Sequence, residues 1–276
     1  MMKNNILVAA GMTFSLALPT IAAADGSPWL PIPGSTQISI GYINQTGDEF
    51  YLGTTETPLP EKLKQDTYSI GAQYGLTDAI SIDARLNYAK INFGPASESA
   101  LADSSIGVNW RVYDEFEHAT APTITLRGAA IIAGDYETGK IDAIGDGASG
   151  VGLSVLAGKY LMPKLTVAGE FGYRYRSGDV PDDLWFGVNV GYSLASFVSV
   201  SAGYIATRSL GDLDIGGPGF SPPRFPEVQE DRDLISVGAA FAVASSTSLN
   251  VNYGTVVSGR NTTKADVWGI SVVTSF

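Results

Sequence analysis

The sequence predicts an all-β chain, a transmembrane antiparallel up-and-down β-barrel of about 12 strands with both termini in the periplasm. Three observations predict it. The last strand is greased on one side and ends on an aromatic residue, the first residues form an export leader, and short and long joins alternate between period-2 segments.

The closing segment, Asp266 to Phe276, reads D-V-W-G-I-S-V-V-T-S-F. Trp268, Ile270 and Val272 recur at every second position, and Phe276 keeps their phase across one weak position, Thr274. Such a strand suits a wall between lipid and a wet lumen. An aromatic-ended final strand also resembles the signal read by barrel-assembly machinery. Trp268, Ile270, Val272 and Phe276 are therefore the expected assembly signal, with that machinery as a partner.

At the other end, Lys3 supplies a positive n-region, Ile6 to Ile21 an apolar stretch, and Ala22-Ala23-Ala24 a small-residue cleavage site. Together they read as a signal peptide over 1–24. Residues 25–35 are expected to form a periplasmic extension and 36–276 the barrel. Pro28-Trp29-Leu30-Pro31-Ile32-Pro33-Gly34 reads as an extended leader along the inner membrane face, with plugging of the periplasmic mouth as the alternative. No later apolar run approaches the ~20 residues that a spanning helix needs.

Hydrophobic residues make up 45% of the chain, yet the mean hydropathy is only +0.11. A barrel produces this combination because it hides apolarity at alternate positions. Cysteine is absent, which excludes a disulfide framework and a thiolate metal site. A net charge of -11 excludes nucleic acid as a natural partner. Neither metal nor cofactor is expected.

Period-2 alternation places strands at 36–46, 65–75, 79–91, 102–114, 122–133, 148–160, 164–176, 182–193, 197–208, 232–243, 247–257 and 266–276. Tight joins fall at 76–78, 161–163, 194–196 and 244–246, and long ones at 47–64, 92–101, 134–147, 209–231 and 258–265. Short periplasmic turns and long external loops account for that alternation. The joins 115–121 and 177–181 fit it less well. Tyr74, Tyr192 and Phe241 precede periplasmic turns in the outward phase and read as an aromatic girdle.

The same phase fixes what faces the lumen. Ile80, Ile82, Leu86 and Tyr88 oppose Asp83 and Arg85; Ile106, Val108, Trp110 and Val112 oppose Asn109 and Arg111; Ile124 and Leu126 oppose Thr125 and Arg127. In 164–176, Glu170, Arg174 and Arg176 oppose Phe171, Tyr173 and Tyr175. An arginine facing lipid at the midplane would cost roughly 2–4 kcal/mol, so these charges turn inward. Two readings remain open: a charged constriction that selects solutes, or a salt-bridged network that fills the barrel. Small inward residues such as Ser199, Ser201, Gly187 and Gly191 leave space and favour the constriction.

Acidic residues concentrate in the expected external segments, among them Asp48, Glu56, Asp146, Asp182, Asp183, Asp214 and Glu230. Solvated loop charge accounts for them, with binding of divalent cations shared with lipopolysaccharide or repulsion of anionic solutes as the functional alternatives; outer-membrane lipid is the surrounding partner, and no EF-hand spacing appears. Loop 209–231 carries Phe220, Arg224 and Phe225 among prolines and glycines, a composition that suits a loop folded inward or a lid, and equally a rigid cap. No enzyme is expected. The single histidine, His118, lies on the periplasmic side, whereas outer-membrane hydrolase sites open outward.

Gly71-Ala-Gln-Tyr-Gly-Leu-Thr-Asp78, its echo Gly191-Tyr-Ser-Leu194 before Val198-Ser-Val-Ser-Ala-Gly-Tyr204, and Trp268-Gly-Ile-Ser-Val272 carry a resemblance. On them the chain resembles the transporter-like group of small outer-membrane barrels named for the meta-pathway of phenol degradation. The resemblance implies passage of small solutes, aromatic or hydrophobic compounds among them, and carries over no catalytic residue. The expected role is a narrow passive channel in the bacterial outer membrane. A non-conducting structural or surface-interaction barrel, serving envelope or exopolysaccharide assembly, is the alternative.

Overall fold

A computed structural model describes residues 26–117 and 120–276, so the leader and His118 lie outside the described residues. Twelve strands form one closed antiparallel barrel. They are β1 (Thr36–Leu52), β2 (Thr55–Gly75), β3 (Ile80–Phe93), β4 (Ala96–Tyr113), β5 (Thr123–Ile132), β6 (Gly150–Met162), β7 (Leu165–Arg176), β8 (Asp183–Ala195), β9 (Val198–Ser209), β10 (Asp231–Ala244), β11 (Thr247–Arg260) and β12 (Thr263–Ser275). Each pairs with its sequence neighbours, and β1 closes on β12 from Gln37↔Ser275 to Phe50↔Thr263. The Phe276 amide donates to the Thr36 carbonyl at 2.8 Å, which ties the last residue into that seam. Closure satisfies every edge, as the hydrocarbon interior demands.

Alternation decides the two faces. On β4 the indole of Trp110 is 54% exposed toward the lipid side while its neighbour Asn109 is 2% exposed inside. Phe276 points outward in phase with Trp268, Ile270 and Val272. Near the external ends, outward tyrosines donate to aspartates one row farther out on the adjacent strand: Tyr42 to Asp66 at 2.6 Å, Tyr253 to Asp266 at 2.8 Å, Tyr204 to Asp233 at 3.0 Å, and Tyr173 to Asp182. Each ring stays in the apolar band while its hydroxyl reaches a charged, wet partner, so the belt marks the external membrane boundary.

Three of the long external joins are not loops. β1 and β2 continue to a turn at Gly53, β3 and β4 to one at Gly94, and β11 and β12 to one at Asn261. Beyond the tyrosine belt both faces of a strand meet water, so the apolar alternation that reveals a strand stops before the strand does. Asn261 holds φ at 48° at its turn, where its side chain accepts from the Gly53 amide at 2.9 Å and donates to the Gln229 carbonyl at 2.8 Å. The remaining external connections are 133–149, 177–182 and 210–230, the last carrying a short 3₁₀ turn, Pro222–Glu227.

The segment before β1 does not lie along the membrane face. Gly34, at φ 80°, turns the chain and hydrogen-bonds to Gly75 at 2.8 Å, and residues 26–29 line the periplasmic mouth. There the inward Thr125 hydroxyl donates to the Pro28 carbonyl at 2.8 Å, and the Trp29 indole donates to Glu115 at 3.0 Å. Trp29 also packs on Tyr160 with ring centroids 5.3 Å apart. A side chain at the inward Gly158 would meet the Pro28 ring at 2.5 Å, so the wall makes room for the segment.

Candidate functional site

The lumen is divided into an external vestibule of about 440 Å³ and a periplasmic chamber of about 180 Å³. Ser39, Arg85, Ser105 and Arg127 border both, which makes them the neck between the two. At the neck Arg127 donates to Asp83 at 2.7 Å, and Asn109 donates to the other oxygen of the same carboxylate at 2.7 Å. Gly107 faces this group from β4. A β-carbon there would lie 2.9 to 3.0 Å from the Asp83 carboxylate and 3.0 Å from the Arg127 guanidinium, so glycine lets the ion pair lie flat on the wall.

The inward charges thus separate into levels. Asp83, Arg85, Asn109 and Arg127 gather at the neck, and Glu170 lines the periplasmic chamber together with Trp29. Arg174 and Arg176 stand in the vestibule. Arg174 grips Asp183 in a two-point contact at 2.9 and 3.1 Å, and Arg176 bonds Asp146 at 2.9 Å. Arg111 is not at the neck. Two residues beyond Asn109 on the same face, it reaches the periplasmic rim, where it donates to the Asp78 carbonyl at 2.6 Å and pairs with Asp114 at 3.0 Å.

Two loops narrow the external mouth. Loop 133–149 folds inward because Ile144 buries itself against the inward Leu63, Ala89 and Ile91 of β2 and β3. Its Tyr136 hydroxyl donates to Asp103 at 2.5 Å and accepts from the Gly147 amide at 3.0 Å. Burial and the neighbouring Asp103 carboxylate push this phenol well above its usual range. Loop 210–230 is pinned at Asp214, which takes two bonds from Arg260 at 2.7 and 2.8 Å. The Arg260 guanidinium holds the Asp214 carboxyl below the usual carboxylate range.

Of the three residues expected to form a lid, only Phe225 borders the vestibule, with its β-carbon facing Gly139 of the other loop. Phe220 packs edge-on against Phe225 at 6.3 Å, and Arg224 turns to Glu227 and the Gly219 carbonyl. Among the described residues no cluster of His, Asp or Glu is placed to hold a metal ion.

A family model described as "Putative MetA-pathway of phenol degradation" matches residues 61–268. The chain belongs to that family. No curated protein matches it. Among solved structures, an outer membrane channel from Pseudomonas putida F1 superposes with a TM-score of 0.71 at 15% identity, over 92% of this chain and 100% of the other. The NanC porin gives 0.57 at 8% identity, over 86% and 98%. The translocator domain of the autotransporter NalP from Neisseria meningitidis gives 0.52 at 14%, over 87% and 88%. At these identities the likeness is one of fold, the 12-stranded outer-membrane barrel.

This phenol-degradation family barrel carries lumen residues that sequence reasoning passed over. Trp185 and Asp183 share the inward phase of Gly187, Asn189 and Gly191 on β8, and extending that phase outward by two steps finds both. Trp185 lies against the wall where Gly172 and Gly152 leave room, and the Arg174 guanidinium stands 5.9 Å from its ring centroid. Asp183, an expected loop charge, is instead a buried partner of two arginines. The inward turn of loop 133–149 rests on contacts between Ile144 and distant strands, and no local pattern announces it.

Proposed function

We propose that this outer-membrane barrel is a narrow passive channel for small solutes, aromatic and hydrophobic compounds among them, and that its selectivity lies at the Arg85–Arg127 neck. One observation carries the reading: two cavities open on opposite sides of a single neck, with the same four residues bordering both. Fixed charges at such a narrowing act in a medium of low effective dielectric, where each weighs more on a passing ion than it would in water. The barrel is read as a conduit rather than an enzyme, in keeping with its likeness to porins and channels.

Single-channel recording in planar bilayers tests this directly. Discrete conductance steps from the purified barrel are expected. A silent barrel at every applied voltage would overturn the channel and favour a structural envelope role.

Assembly supports a second expectation. Trp268, Ile270, Val272 and Phe276 present an outward apolar face on the strand that closes the barrel, which suits recognition by barrel-assembly machinery. Deleting Phe276, or replacing it with a charged residue, is expected to reduce the amount of heat-modifiable barrel in outer-membrane fractions severalfold. Unchanged amounts would remove that role from the terminal aromatic.

A further inference from the structure

Three rows of side chains run in register across the outward face of β2, β3 and β4. The innermost, Tyr68↔Tyr88↔Leu101, is apolar and exposed toward lipid. One step outward comes Asp66↔Lys90↔Ser99, and beyond it Lys64↔Asn92↔Ser97, with Lys62 one repeat farther along β2. The boundary is placed independently by Tyr42, whose ring sits level with Tyr68 and whose hydroxyl reaches Asp66. Lys90, Lys64 and Lys62 therefore stand at and just above the outer edge of the hydrocarbon, at the depth of lipid head groups.

These three ammonium groups are exposed, and none forms an ion pair or hydrogen bond with a described residue. The carboxylate nearest in register, Asp66, is engaged from the other side by the Tyr42 hydroxyl and the Asn44 amide at 2.8 Å. Other outward cations in the external part of the wall are matched. Arg208 bonds Asp233 at 2.6 Å, and Lys264 bonds Glu49 and Glu56, each at 2.8 Å. In a chain of net charge -11, three unmatched cations on one face are the exception. Same-face neighbours along a strand lie roughly 6.6 Å apart and diagonal cross-strand pairs roughly 7–8 Å, a spacing at which like charges repel until an anion sits among them.

We propose that this face, Lys62, Lys64 and Lys90 with the hydroxyls of Ser97 and Ser99, seats the phosphate groups of outer-leaflet lipopolysaccharide. The ammonium groups supply charge, the serines supply neutral donors, and the row of Tyr68, Tyr88 and Leu101 below receives the acyl chains. Phosphate on an acylated glycolipid meets both parts of the surface. A free anion meets only the first. The inference rests on the outer-membrane placement of the barrel and is independent of whether the lumen conducts.

Folded barrel in neutral detergent, titrated with bis-phosphorylated lipid A and read by native mass spectrometry, tests the site. Wild type is expected to bind, less tightly as salt rises, and the K62Q/K64Q/K90Q variant to bind roughly tenfold or more weakly. Lipid A stripped of phosphate should bind wild type no better than it binds the variant, and inorganic phosphate should fail to compete at matched concentration. K264Q, which removes a cation already matched by two carboxylates, should bind like wild type. Should the triple variant fail to give a heat-modifiable barrel, K90Q alone is measured, with an intermediate loss expected. Equal binding by wild type and the lysine variants would overturn the proposal, as would wild-type binding indifferent to lipid A phosphate. Competition by inorganic phosphate alone would reduce the face to a general anion site.

Discussion

Removing residues 26–32 is expected to raise single-channel conductance severalfold while leaving a folded barrel. The segment occupies the periplasmic chamber through Pro28 and Trp29, so its loss widens one of the two cavities along the proposed path. Its anchors are few: the Thr125 bond to Pro28, the Trp29 bond to Glu115, and the Trp29 ring on Tyr160. None belongs to the strand ladder, which is why the barrel should survive the deletion. Gly158→Ala makes the same point with one methyl group, since its β-carbon would lie 2.5 Å from the Pro28 ring and displace the segment while filling little of the chamber. Conductance unchanged in both variants would show that the chamber does not limit flow and that resistance lies at the neck or in the external loops.

The second large effect is expected at the neck. Arg127→Met removes the guanidinium that bonds Asp83, so that on a largely enclosed wall the carboxylate keeps its bond from Asn109 but loses the cation beside it. Losing one member of a buried pair costs about 3–5 kcal/mol, and the lower end applies here because Asp83 keeps some contact with lumen water. The variant should melt at a lower temperature and, where it conducts, pass cations more readily than wild type, because a fixed positive charge has left the narrowing. Asp83→Asn in the Arg127→Met background should recover part of the stability and reverse part of the selectivity. A variant as stable as wild type with unaltered selectivity would mean that the pair neither braces the wall nor filters ions.

The wall of this molecule is legible in its sequence because each strand must choose between two solvents. Ile106, Val108 and Trp110 cannot share a face with Asn109 and Arg111, so the phase of β4 follows from its composition. The same logic fails where the choice disappears. Above the tyrosine belt, residues such as Glu49, Glu56 and Lys264 meet water on either face, and strands there resemble loops until their hydrogen bonds are seen. Phase also says nothing of height. Arg111 and Arg127 share an inward direction, yet only Arg127 reaches the neck, because height depends on register between strands and on their tilt. The segment at Pro28–Trp29 and the fold of loop 133–149 depend on cavities shaped by residues far away in the chain, Gly158 in one case and Leu63, Ala89 and Ile91 in the other.

A cylinder one strand thick is a hoop, and a hoop flattens easily because its hydrogen bonds hold neighbours at a fixed spacing without fixing the curvature of the ring. The stretch from Gly34 to Trp29 crosses that ring like a tie rod, fastened at Gly75 on β2 and again at Thr125 on β5 and at Glu115 beside the β4 end. It holds the cross-section at one shape from within. Any event that withdraws the rod to clear the passage also frees the ring to become oval, so bore and roundness change together.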